Sequence, residues 1–211
     1  MLSLPEELLL LALNEEKGTF SWSVSSKLPY VLAGALLMEL ILRKRLVVEP
    51  KRLEVLDRAP TGEPLLDSIL KAIDSSKKVR AGAFWIGKIR GRIKPMKLAL
   101  LGELVDKGVL HSEEYRVLGI FPTTRYPSQD DRPKKTLISD IRSLILRREV
   151  PDLRQTMLIA LVYTGGLMPM LFDKEERRDA REQVQKIAKS LSITREIKKA
   201  IQWAQAAQAG A

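Results

Sequence analysis

The 211-residue chain contains no cysteine. That excludes a disulfide framework and any thiolate metal centre. It holds a single histidine, His111, which argues against a zinc site or a histidine-based triad, since each needs several partners in one place. His111 reads as a structural or solvated residue at the edge of a predicted strand. Aromatic residues are scarce, at 5%. Long apolar runs are also missing. Residues 28–42 come nearest but contain Glu39, and residues 157–172 are interrupted by Gly165, Gly166 and Pro169. Both fall short of the roughly 20 residues that a membrane-spanning helix needs, and both read as buried core helices. Glu6 and Glu7 stand where a secretion signal would carry positive charge.

Acidic residues are in deficit: 26 Asp and Glu face 36 Lys and Arg, for a net charge of +10. Such a balance favours a polyanionic partner, whether anionic lipid, nucleic acid or an acidic protein tail. Hydrophobic residues make up 45% of the chain, enough for a sizeable core. No Ser/Pro/Gly-rich linker divides it, so residues 1–211 are expected to form one domain.

Helical periodicity dominates, and the expected fold is mainly α: a compact single-domain helical bundle with two short β-hairpins. Pro5 opens a first helix whose inner face is Leu8, Leu9, Leu11 and Ala12. A second helix, from about Tyr30 to Lys44, is apolar nearly all round and belongs at the centre. Residues 46–49 and 52–56 read as a hairpin. Thr61 is placed to cap a helix with Leu65, Leu66, Ile69, Leu70 and Ile73 inward. Residues 115–126 suggest a second hairpin with an apolar tip of Val117, Leu118, Ile120 and Phe121. Further helices follow. One is marked by Asp173 and Glu176 as a capping pair, and the last begins at about Arg195.

Residues 77–102 carry eight cations and no acid: Lys77, Lys78, Arg80, Lys88, Arg90, Arg92, Lys94 and Lys97. Pro95 suits the first turn of a helix that ends near Lys107 and Gly108. Lys94 and Lys97, three apart, then share a face at the helix's amino end, where free N–H groups already favour anions. Arg90 and Arg92, just upstream, offer forked contacts to phosphate oxygens. The apolar hairpin tip supplies either a second membrane anchor or a self-association surface. Trp85 and Trp203 read as packing residues, and Trp22 is the tryptophan placed to line the anion site. Asp57, Glu63 and Asp67 fit capping or ion-pair roles. No phosphate loop and no nucleophile–base constellation is present, so neither an enzyme nor a cofactor is expected.

Five segments in order carry a resemblance: LPEELLLLALNEEKG (4–18), LAGALLMELILRKRLVVE (32–49), DRAPTGEPLLDSIL (57–70), LVDKGVL (104–110) and LIALVYTGG (158–166). In these the chain resembles the Golgi phosphoprotein 3 family across nearly its whole length. The resemblance implies a helical fold with projecting hairpins, phosphatidylinositol 4-phosphate recognition, peripheral membrane association at the cytosolic face and homo-oligomerisation through a hairpin. Eukaryotic members retain glycosylation enzymes in the Golgi, which implies protein clients. The short amino terminus leans towards a prokaryotic member. The family's lipid site pairs a tryptophan and an arginine near the second helix with two cations that fall here on Lys94 and Lys97. The arginine position is Ala33, and Trp22 matches the tryptophan only after a shift of about two residues. The implied headgroup site is therefore Trp22, Arg90, Arg92, Lys94 and Lys97. The competing expectations are a nucleic-acid-binding protein and a scaffold for acidic protein tails. The first lacks a recognition helix rich in Arg, Asn and Gln or an aromatic-interleaved strand.

Overall fold

The computed structural model describes residues 1–49, 52–117 and 120–209. The fold is mainly α, with two small antiparallel hairpins. Helix α1 (Leu4–Ala12) begins where Ser3 donates its N–H and hydroxyl to the Glu6 carboxylate, at 2.8 and 2.9 Å. Sequence periodicity assigns α1 a single inner face, yet all nine of its residues are buried. Glu6 and Glu7 can be buried because cations from distant segments reach them: Lys107 pairs with Glu6, and Arg154 with Glu7 at 2.8 Å. Burial still pushes the Glu7 carboxyl above its ordinary value, against the opposing pull of Arg154.

Helix α3 (Leu28–Leu42) is the central element, packed by α1 and by later helices. It starts two residues before the predicted point because Pro29 fits its first turn. Its end falls at Leu42, and Lys44 turns left-handed at φ 57°. Just beyond it Arg43 bridges Glu39 and Glu63, and Arg45 pairs with Asp57. Strands β1 (Leu46–Glu49) and β2 (Arg52–Val55) pair as foreseen, with Val48 opposite Leu53.

Helix α4 (Pro64–Asp74) is capped at Glu63, not Thr61. The Thr61 N–H and hydroxyl donate to the Asp67 carboxylate, at 2.6 and 2.7 Å, pinning the Pro-Thr-Gly turn to the helix and holding the Asp67 carboxyl below its usual range. Helix α5 (Gly82–Arg90) has no counterpart in the sequence reading, which assigns no element to this basic stretch. Its amino end is closed by Glu196, whose carboxylate accepts the Ala83 N–H at 3.0 Å. That residue lies 113 positions away, so no local motif announces it. Trp85 is buried on its inner side, as expected for a packing residue.

Helix α6 (Ile93–Asp106) leads to strands β3 (Glu113–Val117) and β4 (Phe121–Arg125), the second hairpin. Leu118, at its tip, lies outside the described residues. Helices α7 (Arg132–Leu146), α8 (Leu153–Gly165), α9 (Met168–Leu171), α10 (Glu176–Ser190) and α11 (Ser192–Ala209) complete the chain. The apolar run over 157–172 is divided between α8 and α9, because Gly166 turns left-handed at φ 73° and ends α8. Helix α11 starts at Ser192, earlier than Arg195. Gly18 holds the loop after α1 against the end of the second hairpin. An added Cβ there would lie 2.3 Å from the Tyr126–Pro127 backbone, so only glycine fits. No described helix is long and apolar enough to cross a membrane.

Candidate anion-binding site

The junction between α5 and α6 faces the start of α3. Two-residue spacing at Gly91 and Arg92 turns the chain so that the end of α5 and the first turn of α6 meet along one side of a cleft of about 640 Å³. Leu28 and Leu32 of α3 and Ile93 form its apolar floor, all buried. Phe20 and Ser25 close the opposite wall, beside α2 (Trp22–Ser25).

Three cations line the cleft, Arg90, Lys94 and Lys97, and no carboxylate does. Each has a defined place. The Arg90 guanidinium lies over the Tyr30 ring, 4.8 Å from its centroid, and the Lys97 ammonium over the Phe20 ring, at 5.1 Å. Lys94 occupies the first turn of α6, where N–H groups have no acceptor within their own helix. Burial, and secondarily the charge of Lys94, lowers the Lys97 pKa from its ordinary value. Arg43, Arg45 and Arg58 before this region and Lys107 after it each pair with an acid. Among the described residues none of the eight cations from 77 to 102 makes an ion pair. The cleft can therefore accept a phosphate, through two ammonium groups, one guanidinium and helix-end amides, without displacing an internal partner.

Three of the five headgroup residues named from sequence thus converge. The other two do not line the cleft. Arg92 is exposed at the N-cap of α6, and Trp22, 89% exposed, points its bulk to solvent from α2 while Val24 anchors that helix in the core. The aromatic wall is Phe20, which the sequence reading passed over in favour of the tryptophan two positions on. Ala33, the position that the resemblance matches to a family arginine, is buried at 0% exposure. In the hairpin, Val117 stands opposite Phe121 in the ladder and Ile120 is 72% exposed. Among the described residues no group of His, Asp and Glu is arranged to hold a metal.

A mainly α protein whose central helix borders a cationic, acid-free cleft is the class that fold and site define. Comparison places it more narrowly. The chain belongs to the Golgi phosphoprotein 3 (GPP34) family, whose model matches residues 4–207. It is 30% identical over 177 residues to vacuolar protein sorting-associated protein 74 of Eremothecium gossypii, covering 74% of this chain and 53% of that protein. Its identity to the protein of the same name from Schizosaccharomyces pombe is 32% over 170 residues, covering 69% and 50%. The chain thus spans about half the length of the curated relatives it matches. Both relatives are fungal, so the prokaryotic origin expected from the short amino terminus draws no support from them.

Proposed function

We propose that the protein is a peripheral membrane adaptor that docks through a phosphorylated lipid headgroup, of the phosphatidylinositol 4-phosphate kind, bound in the α3–α5–α6 cleft. The observation that carries this reading is the set of three unpaired cations, Arg90, Lys94 and Lys97, over an apolar floor with no acid lining the cleft. Arg92 adds charge at the rim. Trp22, exposed beside the cleft, suits insertion at the lipid interface, where indole rings partition well. The name of the fungal relatives, vacuolar protein sorting, fits an adaptor that works at the cytosolic face of a Golgi-type membrane and engages protein clients. The second hairpin, with Ile120 exposed, is the proposed surface for self-association or added membrane contact.

Vesicle sedimentation tests the headgroup site. The full chain is spun with phosphatidylcholine vesicles, with and without phosphatidylinositol 4-phosphate. Each cation near an anionic surface contributes about 1 kcal/mol, so Lys94→Gln with Lys97→Gln should weaken binding by about 2 kcal/mol, roughly thirtyfold. Binding of the double variant at wild-type level would reject the cleft as the docking site.

A further inference from the structure

A second cleft, of about 770 Å³, opens among the end of α8, α9, the first turns of α10 and the middle of α11. Six cations line it: Lys27, Lys174, Arg177, Arg178, Arg181 and Lys198. Among the described residues no carboxylate does. Arg177 and Arg181 stand one helical turn apart on α10. The Arg177 Nε is sealed from solvent and has no hydrogen-bond partner. Lys198 places its ammonium over the Tyr163 ring, 4.4 Å from the centroid. Lys27, at the N-cap of α3, lies against the left-handed end of α8, its Nζ 3.7 Å from where a Gly166 Cβ would be. Among the described residues, only Arg178 of the six has an acidic neighbour in contact, Asp179 at 3.6 Å, and both side chains are largely exposed. The nearby Glu176 is committed to Arg142.

Gathering six like charges around one cavity is unfavourable. A bound anion offsets the crowding of like charge. We infer that this cleft is a second anion-binding site, taking a small group that carries two or more phosphates. One phosphate bears a charge of about −1.5 to −2, which six cations exceed several-fold. Guanidinium pairs one turn apart fork onto phosphate oxygens. Tyr163, Met168, Pro169 and Ile201 supply an apolar face for the carbon skeleton between the phosphates. The volume lies within the roughly 300–1,000 Å³ of small-molecule sites. None of its lining residues is shared with the first cleft. The two clefts flank the α2–α3 junction, with Ser25 and Leu28 facing one and Lys27 the other.

Isothermal titration of the full chain with inositol hexakisphosphate tests the assignment. The wild type should bind saturably. Arg177→Gln with Arg181→Gln should weaken binding about tenfold or more, a loss of about 1.4 kcal/mol or greater. Lys94→Gln with Lys97→Gln should leave it within about twofold. Because Arg177 is partly buried, Lys27→Gln with Lys198→Gln provides an independent variant, and the melting temperature of each reports its fold. Absence of saturable binding, or an undiminished affinity in both cleft variants, overturns the proposal. So does a loss confined to the Lys94 and Lys97 variant, which would put the probe in the first cleft. Vesicles containing phosphatidylinositol 4,5-bisphosphate then separate the sources. Competition with the soluble probe through Arg177 and Arg181 assigns a lipid headgroup to the site, and its absence assigns a soluble polyphosphate.

Discussion

Gly34 lies on α3 where α11 crosses it, and a Cβ added there would meet Ile197 Cδ1 at 2.4 Å and Cγ1 at 2.7 Å. Ordinary carbon contacts lie near 3.5–4.0 Å. Ile197 is fully buried, so its tip has no solvent to swing into. Gly34→Ala therefore combines a gain in helix propensity of about 1 kcal/mol with an overpacking cost of about 1–3 kcal/mol. The net expectation is a loss of about 1 kcal/mol. Ile197→Ala alone leaves a cavity and should cost about 2–5 kcal/mol. Combining the two changes the sign of the first. With Cγ1 and Cδ1 gone, the nearest Ile197 atom is Cβ at 3.9 Å, an ordinary contact. The added methyl then keeps its propensity gain and fills part of the cavity, so Gly34→Ala should stabilise by about 1 kcal/mol in the Ile197→Ala background. The resulting coupling of about 2 kcal/mol is read from urea denaturation of the four proteins, with equal m-values as the check on two-state behaviour. A Gly34→Ala effect of the same sign and size in both backgrounds would show that α3 and α11 do not meet at this point. The crossing bears on function because Lys27 and Leu28, at the start of α3, form walls of the two clefts.

Four further outcomes are expected. Lys97 has a depressed pKa, so its burial as a cation opposes folding at neutral pH, and the opposition disappears only as the pH rises through the lowered value. Lys97→Gln should accordingly hold or raise the melting temperature while weakening vesicle binding; a loss of both would mark Lys97 as structural. Glu7 has the reverse character for an acid: its raised pKa favours folding below the ordinary value of 4.5, and that contribution is lost as the pH rises through the folded-state value. The stability of Glu7→Gln relative to wild type should increase from acid towards neutral pH in urea unfolding, and a constant difference would contradict the assigned burial. Asp152 accepts the Gln155 N–H at 2.8 Å at the head of α8, so Asp152→Ala should cost about 1 kcal/mol by thermal unfolding. Trp22→Ala should leave stability unchanged, since its ring is in water, yet reduce binding to phosphoinositide vesicles; equal vesicle binding would remove Trp22 from the membrane contact.

The mainly α fold, the central helix and both hairpins were legible in sequence because their signals are local. The apolar circumference of α3, the 66–69–70–73 stripe of α4 and the Pro-punctuated hairpin at β1–β2 each declare themselves within a dozen residues. What failed to show was non-local. Helix α5 owes its cap to Glu196, and the full burial of α1 depends on Lys107 and Arg154 meeting Glu6 and Glu7. Thr61 looked like a cap because its type and position suit one, but the better acceptor proved to be Asp67, inside the helix. In the first cleft, Lys94 and Lys97 followed from helical spacing and Arg90 from the charge run. Phe20 was missed because a tryptophan nearby carried more apparent weight, and exposure is not a property that residue type reveals.

The second cleft explains why a charge run is an incomplete guide. Its cations come from residue 27, from 174–181 and from 198, and the middle segment also contains Glu175, Glu176 and Asp179, with Asp173 just before it. Read along the chain, α10 is a balanced, solvated helix. Folding unbalances it, because Arg142 takes up Glu176 while Arg177 and Arg181 line the cleft that α10 shares with α8 and α11. The first cleft is visible in sequence because its three cations lie in a stretch, residues 77–102, that contains no acid. The second exists because the acids that do lie near it are turned away or already paired. What distinguishes an anion site in this fold is thus not how many cations a segment holds but how many the tertiary structure leaves without a carboxylate. By that measure the α8–α11 cleft, with five lining cations out of contact with a carboxylate against three in the first, should be the stronger polyanion receptor.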